Sequence, residues 1–229
     1  MTERAFAPSA TNSAARPTDH LRAQAEPDWS EAVGHRFVRE LAAGTLDHAV
    51  MRRYLVQDYQ FLDTFVALLG AAIHAAPALR QRVVLGRLLG LVVSEENTYF
   101  QRSFDALGVP EEERASPSLL PPTVGFQALM REAAAAGRWG EMLAVLTVAE
   151  WSYLTWASKV ADCDPGWFVF REWITLHSGP GFEALVAFLR GELDRAWEAA
   201  DRSGQERIAS LFRRAVALER AFFDAAYAD

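Results

Sequence analysis

The stretch Met51-Arg-Arg-Tyr54-Leu55-Val-Gln-Asp58-Tyr-Gln-Phe-Leu62-Asp-Thr-Phe65 predicts a long helix with one apolar face. At helical spacing, that face carries Met51, Tyr54, Leu55, Asp58, Leu62 and Phe65. An ionised Asp in an apolar stripe costs several kcal/mol unless it is paired or hydrogen-bonded. Asp58 is therefore expected to line a cavity or to meet a partner across the core. A hydrogen-bonded core Asp fits the same pattern.

Nearly every segment from His20 onward is also predicted to be helical. The predicted helices span Trp29 to Leu41, Asp47 to about Ala75, Ala78 to Leu107, Thr123 to Ala136, Trp139 to Val160, Trp167 to His177, Phe182 to about Arg202, and Gln205 to Ala228. No segment combines sustained alternation with β-branched residues, so no strand is predicted. The sequence therefore predicts an all-α fold, a compact multi-helix bundle.

Length and composition predict one domain with a sizeable core. The chain has 229 residues, of which 51% are hydrophobic. Residues 1–18 are rich in Ala, Ser, Thr and Pro and have no apolar run typical of a signal peptide. We expect residues 1–18 to form a disordered tail and residues 19–229 to form a single helical domain.

Charge and cysteine content narrow the classes of partner and compartment. The net charge of -7 argues against a nucleic-acid backbone or an anionic membrane as the main partner. The single cysteine, Cys163, allows no disulfide within the chain, which fits a reducing cytoplasm. No apolar run approaches the roughly 18 residues that a membrane-spanning helix needs.

Two further helices repeat the pattern of a carboxylate within an apolar stripe. The predicted fifth helix has Glu150 between Leu146 and Tyr153, and the last helix has Glu219 between Ala215 and Phe222. Central positions of facing helices converge in a bundle, and sites in bundles are built from such positions. The sequence therefore predicts that Asp58, Glu150 and Glu219 meet in one pocket.

Aromatic residues lie close to these carboxylates in the sequence. Phe61 follows Asp58 by about one helical turn, and Tyr153 and Trp156 follow Glu150 by one and two turns. Aromatics at this spacing are common in helix cores, but here they flank carboxylates, as a flat heteroaromatic ligand requires. Glu95 and Glu96 are ambiguous in phase, and we expect them to face solvent or to form salt bridges.

The sequence gives little support for a metal or a nucleophilic cysteine. Di-iron bundles use Glu-x-x-His pairs, and no Glu or Asp here has a His three residues later. Of the five histidines, His74 and His177 are expected to reach the interior. Cys163 is predicted to lie in a turn. We expect no metal and no other cofactor.

Several motifs together resemble the TenA/thiaminase-II family, whose members have a haem-oxygenase-like all-helical fold. The resemblance covers about residues 29–227. Its markers are Tyr54-Leu-Val-Gln57-Asp58-Tyr59-x-Phe61-Leu62 after Gly44-Thr-Leu46, Asp162-Cys-Asp-Pro-Gly166 followed by Trp173-Ile174, and Glu219-x-x-Phe222-Phe223-x-x-x-Tyr227. Family members hydrolyse a carbon–nitrogen bond at the methylene of an aminopyrimidine, which serves thiamine salvage, and many cleave thiamine.

The resemblance also implies roles for individual residues. Asp58 matches the pyrimidine-binding Asp of the family, and Glu219 matches its C-terminal catalytic Glu. Glu150 stands where another branch has a cysteine, so this chain resembles the glutamate branch. Phe61 and His177 stand where the family has active-site tyrosines. We expect Glu150 and Glu219 to be catalytic, and Asp58, Phe61, Tyr153, Trp156 and His177 to bind the substrate.

Two other functions remain open at this point. One is a metal-dependent oxidase on the same fold, which requires histidine ligands near the acids. The other is a small-molecule-binding or regulatory protein without turnover. The resemblance and the aromatic residues Trp139, Trp167 and Phe168, which are expected to be exposed, also predict a homo-oligomer, either a dimer or a tetramer.

Overall fold

The computed structural model describes residues 16–228, which contain twelve α-helices, one π-helix and no β-strand. The α-helices are α1 (Pro17–Gln24), α2 (Asp28–Val33), α3 (Arg36–Ala42), α4 (His48–Ala75), α5 (Leu79–Leu91), α6 (Asn97–Leu107), α7 (Glu111–Ala115), α8 (Pro121–Ala136), α9 (Trp139–Val160), α10 (Phe168–Leu176), α11 (Pro180–Ala199) and α12 (Arg202–Ala226). The prediction of an all-α fold is confirmed.

Helix α4 forms where its apolar stripe predicted it. Asp47 caps its first turn, because its carboxylate accepts a hydrogen bond from the Ala49 amide at 2.7 Å. All six residues of the predicted face are buried, including Asp58. The helix therefore brings this carboxyl group into the core.

Helix α9 lies at the centre of the bundle. Every residue from 141 to 153 is buried, because this part of the helix is apolar on all sides and is stable only when other helices surround it. It packs against α4, α8, α11 and α12. Glu150 is thereby held away from the protein surface.

The predicted helix from Trp29 to Leu41 is wrong, since two helices occupy this segment. Gly34 ends α2, and His35 has an extended backbone that interrupts the helical path. The His35 side chain then starts α3 by accepting a hydrogen bond from the Phe37 amide at Nδ1, over 3.1 Å.

The predicted helix from Ala78 to Leu107 is continuous but irregular. Its middle is a five-residue π-helix, Val92–Glu96, between α5 and α6. Hydrogen bonds in a π turn run from residue i to i+5, so the turn holds more residues than an α turn. This irregularity changes which side chains face the interior beyond Leu91.

The other predicted segments agree with the structure to within a few residues at their ends. A short helix, α7, lies between the predicted helices that end at Leu107 and begin at Thr123. Helix α8 begins at Pro121, two residues before the predicted start, because proline fits the first position of a helix.

Gln57 fixes α4 against the segment that leads into α8. Its Nε2 donates to the Ser118 carbonyl at 2.9 Å, and its Oε1 accepts from the Leu120 amide at 2.9 Å and from the Thr123 hydroxyl at 2.8 Å. Gln57 immediately precedes Asp58. These bonds therefore hold the rotation of α4 at the position where Asp58 points inward.

The predicted tail, residues 1–18, lies mostly outside the described residues. Pro17 and Thr18 belong to α1, so helical structure begins before the predicted boundary. Thr18 is fully buried, and its amide donates to Asp194 of α11 at 2.8 Å. This bond joins α1 to the bundle.

No helix within residues 16–228 has the length and hydropathy needed to cross a bilayer. Trp139, Trp167 and Phe168, expected to be exposed, are half-buried and pack against the core. The exposed large apolar residues are instead aliphatic: Leu79, Val83, Leu91, Val93, Leu119 and Val124.

The homo-oligomer remains a prediction. We expect sedimentation at micromolar concentration to give the mass of a dimer or a tetramer, because association would cover the exposed aliphatic side chains of α5. A monomer mass at that concentration would contradict this expectation.

Candidate active site

A cavity of about 630 Å³ lies between α4, α9 and α12 on one side and α5, the π-helix and the start of α11 on the other. Pockets for drug-sized ligands are about 300–1,000 Å³. Its aromatic lining is Phe61, Phe65, Phe126, Tyr153, Trp173, Phe182, Phe188 and Phe222. The cavity therefore suits a flat, largely apolar ligand.

The three carboxylates predicted to converge all line this cavity. Asp58 comes from α4, Glu150 from α9 and Glu219 from α12, and their exposed fractions are 7%, 8% and 4%. Within residues 16–228, none of the three forms a salt bridge. The prediction that these residues meet in one pocket is confirmed.

Burial without a counter-charge determines the protonation state of these three carboxyl groups. Burial raises the pKa of Asp58 well above its ordinary value, repulsion from Glu96 raises it further, and the Tyr54 hydroxyl acts in the opposite direction. Burial and repulsion from Glu96 raise the pKa of Glu150 to about 8. Burial, Asp58 and Glu150 together raise the pKa of Glu219. Neutral pH therefore leaves Glu150 mostly protonated.

A fourth carboxylate, Glu96, also lines the cavity, and sequence reasoning missed it. The expectation that Glu96 faces solvent or forms a salt bridge is wrong, since burial raises its pKa to about 7. Glu95, next to it, is exposed at the cavity edge. Leu88, Val92 and Tyr99 are buried on the same helix. Together with Glu96, these residues follow helical spacing and form a further apolar stripe that a carboxylate interrupts. This pattern in the sequence could have identified Glu96.

Tyr153 and Phe61 line the cavity as predicted, but Trp156 does not. The Tyr153 hydroxyl shares a hydrogen bond with that of Tyr54. Trp156 lies behind this wall, with its ring centroid 5.6 Å from that of Tyr153. Trp156 therefore does not line the cavity, and its contact with a substrate stays a prediction. Helical spacing put it on the correct side of α9 but did not show its depth.

His177 lines the cavity, whereas His74 is exposed, contrary to our expectation. The His177 Nδ1 lies 2.8 Å from the Trp173 carbonyl, and since a carbonyl only accepts, Nδ1 carries the proton. Burial lowers the pKa of His177 to about 4, against the effect of this bond. The ring is therefore neutral at physiological pH, and Nε2 is left as an acceptor.

Residues 16–228 contain no group of three or more His, Cys, Asp or Glu side chains arranged to hold a metal ion. Cys163 is exposed in the turn after α9, as predicted. The site thus offers carboxyl groups, aromatic rings and a neutral imidazole. These groups are suited to hydrogen-bonding a polar heteroaromatic ring and to moving protons.

The fold and the cavity define an all-helical protein with a carboxylate-lined cavity of the size that small-molecule sites have. The sequence pattern of the TENA/THI-4/PQQC family matches residues 22–229. The chain belongs to this family, so the resemblance drawn from its motifs is confirmed. The exposed position of its single cysteine is consistent with the glutamate branch.

Curated relatives cover most of the chain. A protein of Halalkalibacterium halodurans is 23% identical over 210 residues, which are 90% of this chain and 93% of that protein. A protein of Bacillus subtilis is 27% identical over 192 residues, 82% of this chain and 79% of that protein. Both relatives are named aminopyrimidine aminohydrolase.

Solved structures show the same fold. The TenA homologue from P. horikoshii OT3 superposes with a TM-score of 0.80 at 24% identity, over 93% of this chain and 99% of that chain. Heme oxygenase-1 from the cyanobacterium Synechocystis gives a TM-score of 0.58 at 13% identity, over 93% of each chain. The predicted haem-oxygenase-like fold is confirmed.

Glu150→Gln is expected to raise the melting temperature, with a gain that grows with pH. The pKa of Glu150 rises from 4.5 to about 8 on folding. Between these values the unfolded chain releases the proton and the folded protein keeps it, so stability falls as pH rises. Glutamine does not titrate and avoids this loss. Scanning calorimetry at about pH 5 and about pH 8.5 measures the difference in melting temperature between the variant and wild type. Each 1 kcal/mol in the free energy of unfolding corresponds to about 2–4 °C.

Glu141→Gln is the matched control on the same helix. Burial raises the pKa of Glu141, but hydrogen bonds from Arg138 and Arg207 outweigh it and lower the pKa overall. Loss of this buried charge pair is expected to lower the melting temperature at neutral pH. A lower melting temperature for Glu150→Gln as well would show that Glu150 is a structural acid.

Proposed function

We propose that this protein hydrolyses the carbon–nitrogen bond at the methylene group of an aminopyrimidine. The observation that carries the proposal is the convergence of Asp58, Glu150 and Glu219 in one aromatic-walled cavity. Membership of the family and the names of the curated relatives support it. Such an activity belongs to salvage of the pyrimidine half of thiamine.

Asp58 is assigned to recognition of the pyrimidine. The ring presents an amine donor next to a ring nitrogen that accepts. The buried Asp58 carboxyl keeps its proton more readily than an exposed one, so one oxygen donates to the ring nitrogen and the other accepts from the amine. Transfer of this proton to the ring makes both bonds charge-assisted and therefore stronger.

Phe61 and Tyr153 are assigned to the ring faces, and His177 to the edge of the site. Aromatic walls bind a flat ring through offset or edge contacts. The free Nε2 of His177 accepts a hydrogen bond from the substrate. The cavity volume exceeds the needs of a single pyrimidine ring. It therefore also accommodates a substituent on the departing nitrogen.

Glu150 and Glu219 are assigned to catalysis. Cleavage of the bond requires a proton for the departing amine, and Glu150 holds one at neutral pH because its pKa is about 8. Glu219 interacts electrostatically with Glu150 and Asp58. We assign Glu219 to share the proton of Glu150, so that the pair titrates as a unit.

A turnover screen tests the proposed function. Thiamine, aminomethyl-aminopyrimidine and its N-formyl derivative are incubated with the protein, with and without a chelator, and the released amine is measured. We expect turnover of at least one substrate and no effect of the chelator, since no Glu-x-x-His pair is present. Binding without turnover would indicate a binding protein. Loss of turnover that iron or manganese restores would indicate a metal enzyme.

Point variants separate the assigned roles. Glu150→Gln is expected to lower kcat by about 10²–10⁴-fold with little change in Kd, because it removes the general acid. Asp58→Asn is expected to raise Kd by about ten- to a hundred-fold, because the ring loses a charge-assisted partner. Stopped-flow kinetics and calorimetric binding measure the two effects. A kcat of Glu150→Gln within a few-fold of wild type would rule out the catalytic assignment.

A further inference from the structure

Two carboxylates that line this cavity, Glu95 and Glu96, have no role above, and Glu96 is the less exposed of the two. Sequence reasoning left it on the surface, yet it lines the same cavity as the three predicted acids. It is the last residue of the π-helix, on the wall formed by α5 and the π-helix. The three other carboxyl groups come from α4, α9 and α12. Glu96 therefore approaches the cavity from a different helical segment.

Glu96 is more accessible than the three carboxyl groups that already have a role. Asp58, Glu150 and Glu219 are each less than a tenth exposed, whereas Glu96 is partly exposed. The residue before it, Glu95, is exposed at the cavity edge. Solvent therefore reaches Glu96 more readily than it reaches Asp58, Glu150 or Glu219.

Hydrolysis requires a base as well as an acid. Glu150 and Glu219 are already assigned to hold the proton for the departing nitrogen, so another group must accept a proton from the attacking water. We infer that Glu96, which lines the same cavity as Glu150, is the general base of the reaction. This inference rests on the proposed hydrolysis.

The step balances in atoms and charge. The water oxygen forms a bond to the methylene carbon, and one water proton moves to the Glu96 carboxylate. The carbon–nitrogen bond breaks, its electron pair stays on nitrogen, and the Glu150 proton moves to that nitrogen. The products are a hydroxymethylpyrimidine and an amine or ammonia. Transfer of the proton from Glu96 back to Glu150 restores the starting state.

The surroundings of Glu96 allow this division of roles. Glu96 acts electrostatically on Asp58 of α4, Tyr99 of α6, and Glu150 and Tyr153 of α9. The other titratable or charged groups that line the cavity are Arg87, Glu95, His177 and Glu219. The pKa of Glu96 is about 7 and that of Glu150 about 8, so Glu96 ionises first as pH rises. Its negative charge then helps to keep the proton on Glu150.

The test is the pH dependence of kcat in Glu96→Gln. The wild-type protein is expected to give a bell-shaped pH profile of kcat. The profile rises as Glu96 ionises near pH 7 and falls as Glu150 ionises near pH 8. Glu96→Gln is expected to lower kcat by about 10²–10⁴-fold and to abolish the acidic limb. Its alkaline limb should move to lower pH, because repulsion on Glu150 is removed. Binding of the hydroxymethylpyrimidine product should be unchanged.

Two variants keep the result interpretable. Glu96→Asp retains a carboxylate and is expected to keep the acidic limb with a smaller kcat. Glu112→Gln removes the same charge from an exposed position of α7 and is expected to match wild type. A Glu96→Gln enzyme with wild-type kcat and an intact acidic limb would overturn the role of Glu96 and leave the proposed function standing. Absence of turnover in wild type would overturn both.

Discussion

The structure depends on one costly arrangement, the burial of several carboxyl groups around a cavity without a salt-bridge partner in the described chain. Elsewhere the protein follows the usual solution: the buried Glu141 is paired with Arg138 and Arg207, and the buried Glu192 is paired with Arg195. At the cavity, Glu150 and Glu219 meet other acids instead. The raised pKa values of Asp58, Glu150 and Glu219 favour their protonated, uncharged forms. The surrounding apolar core must stabilise this arrangement.

Helical periodicity was sufficient to predict the fold and three of the four acids. Asp58, Glu150 and Glu219 each interrupt a regular apolar stripe, and such stripes face the core in α-helices of any bundle. Periodicity did not locate the break at His35, because that break depends on a local cap made by one side chain. It also gave no measure of depth, so it did not show that Trp156 packs against Tyr153 without lining the cavity.

The two departures from the tyrosines expected in the family change the polarity of the cavity wall. Phe61 has no hydroxyl group, and His177 presents a neutral ring whose only free polar atom is an acceptor. Proton donors at the wall are thereby fewer, and the carboxyl groups become the main source of protons. This composition is consistent with the proposal that Glu150 and Glu219 are catalytic.

The π-helix has a consequence for how relatives of this protein should be aligned. A turn closed by an i to i+5 bond accommodates one residue more than an α turn. In a relative whose helix is regular here, the residue facing the cavity would occur one position earlier or later than Glu96 in an ungapped alignment. An invariant acid could thus be scored as variable in this column. Structural superposition, rather than sequence alignment, is the appropriate way to determine whether other family members carry an equivalent of Glu96.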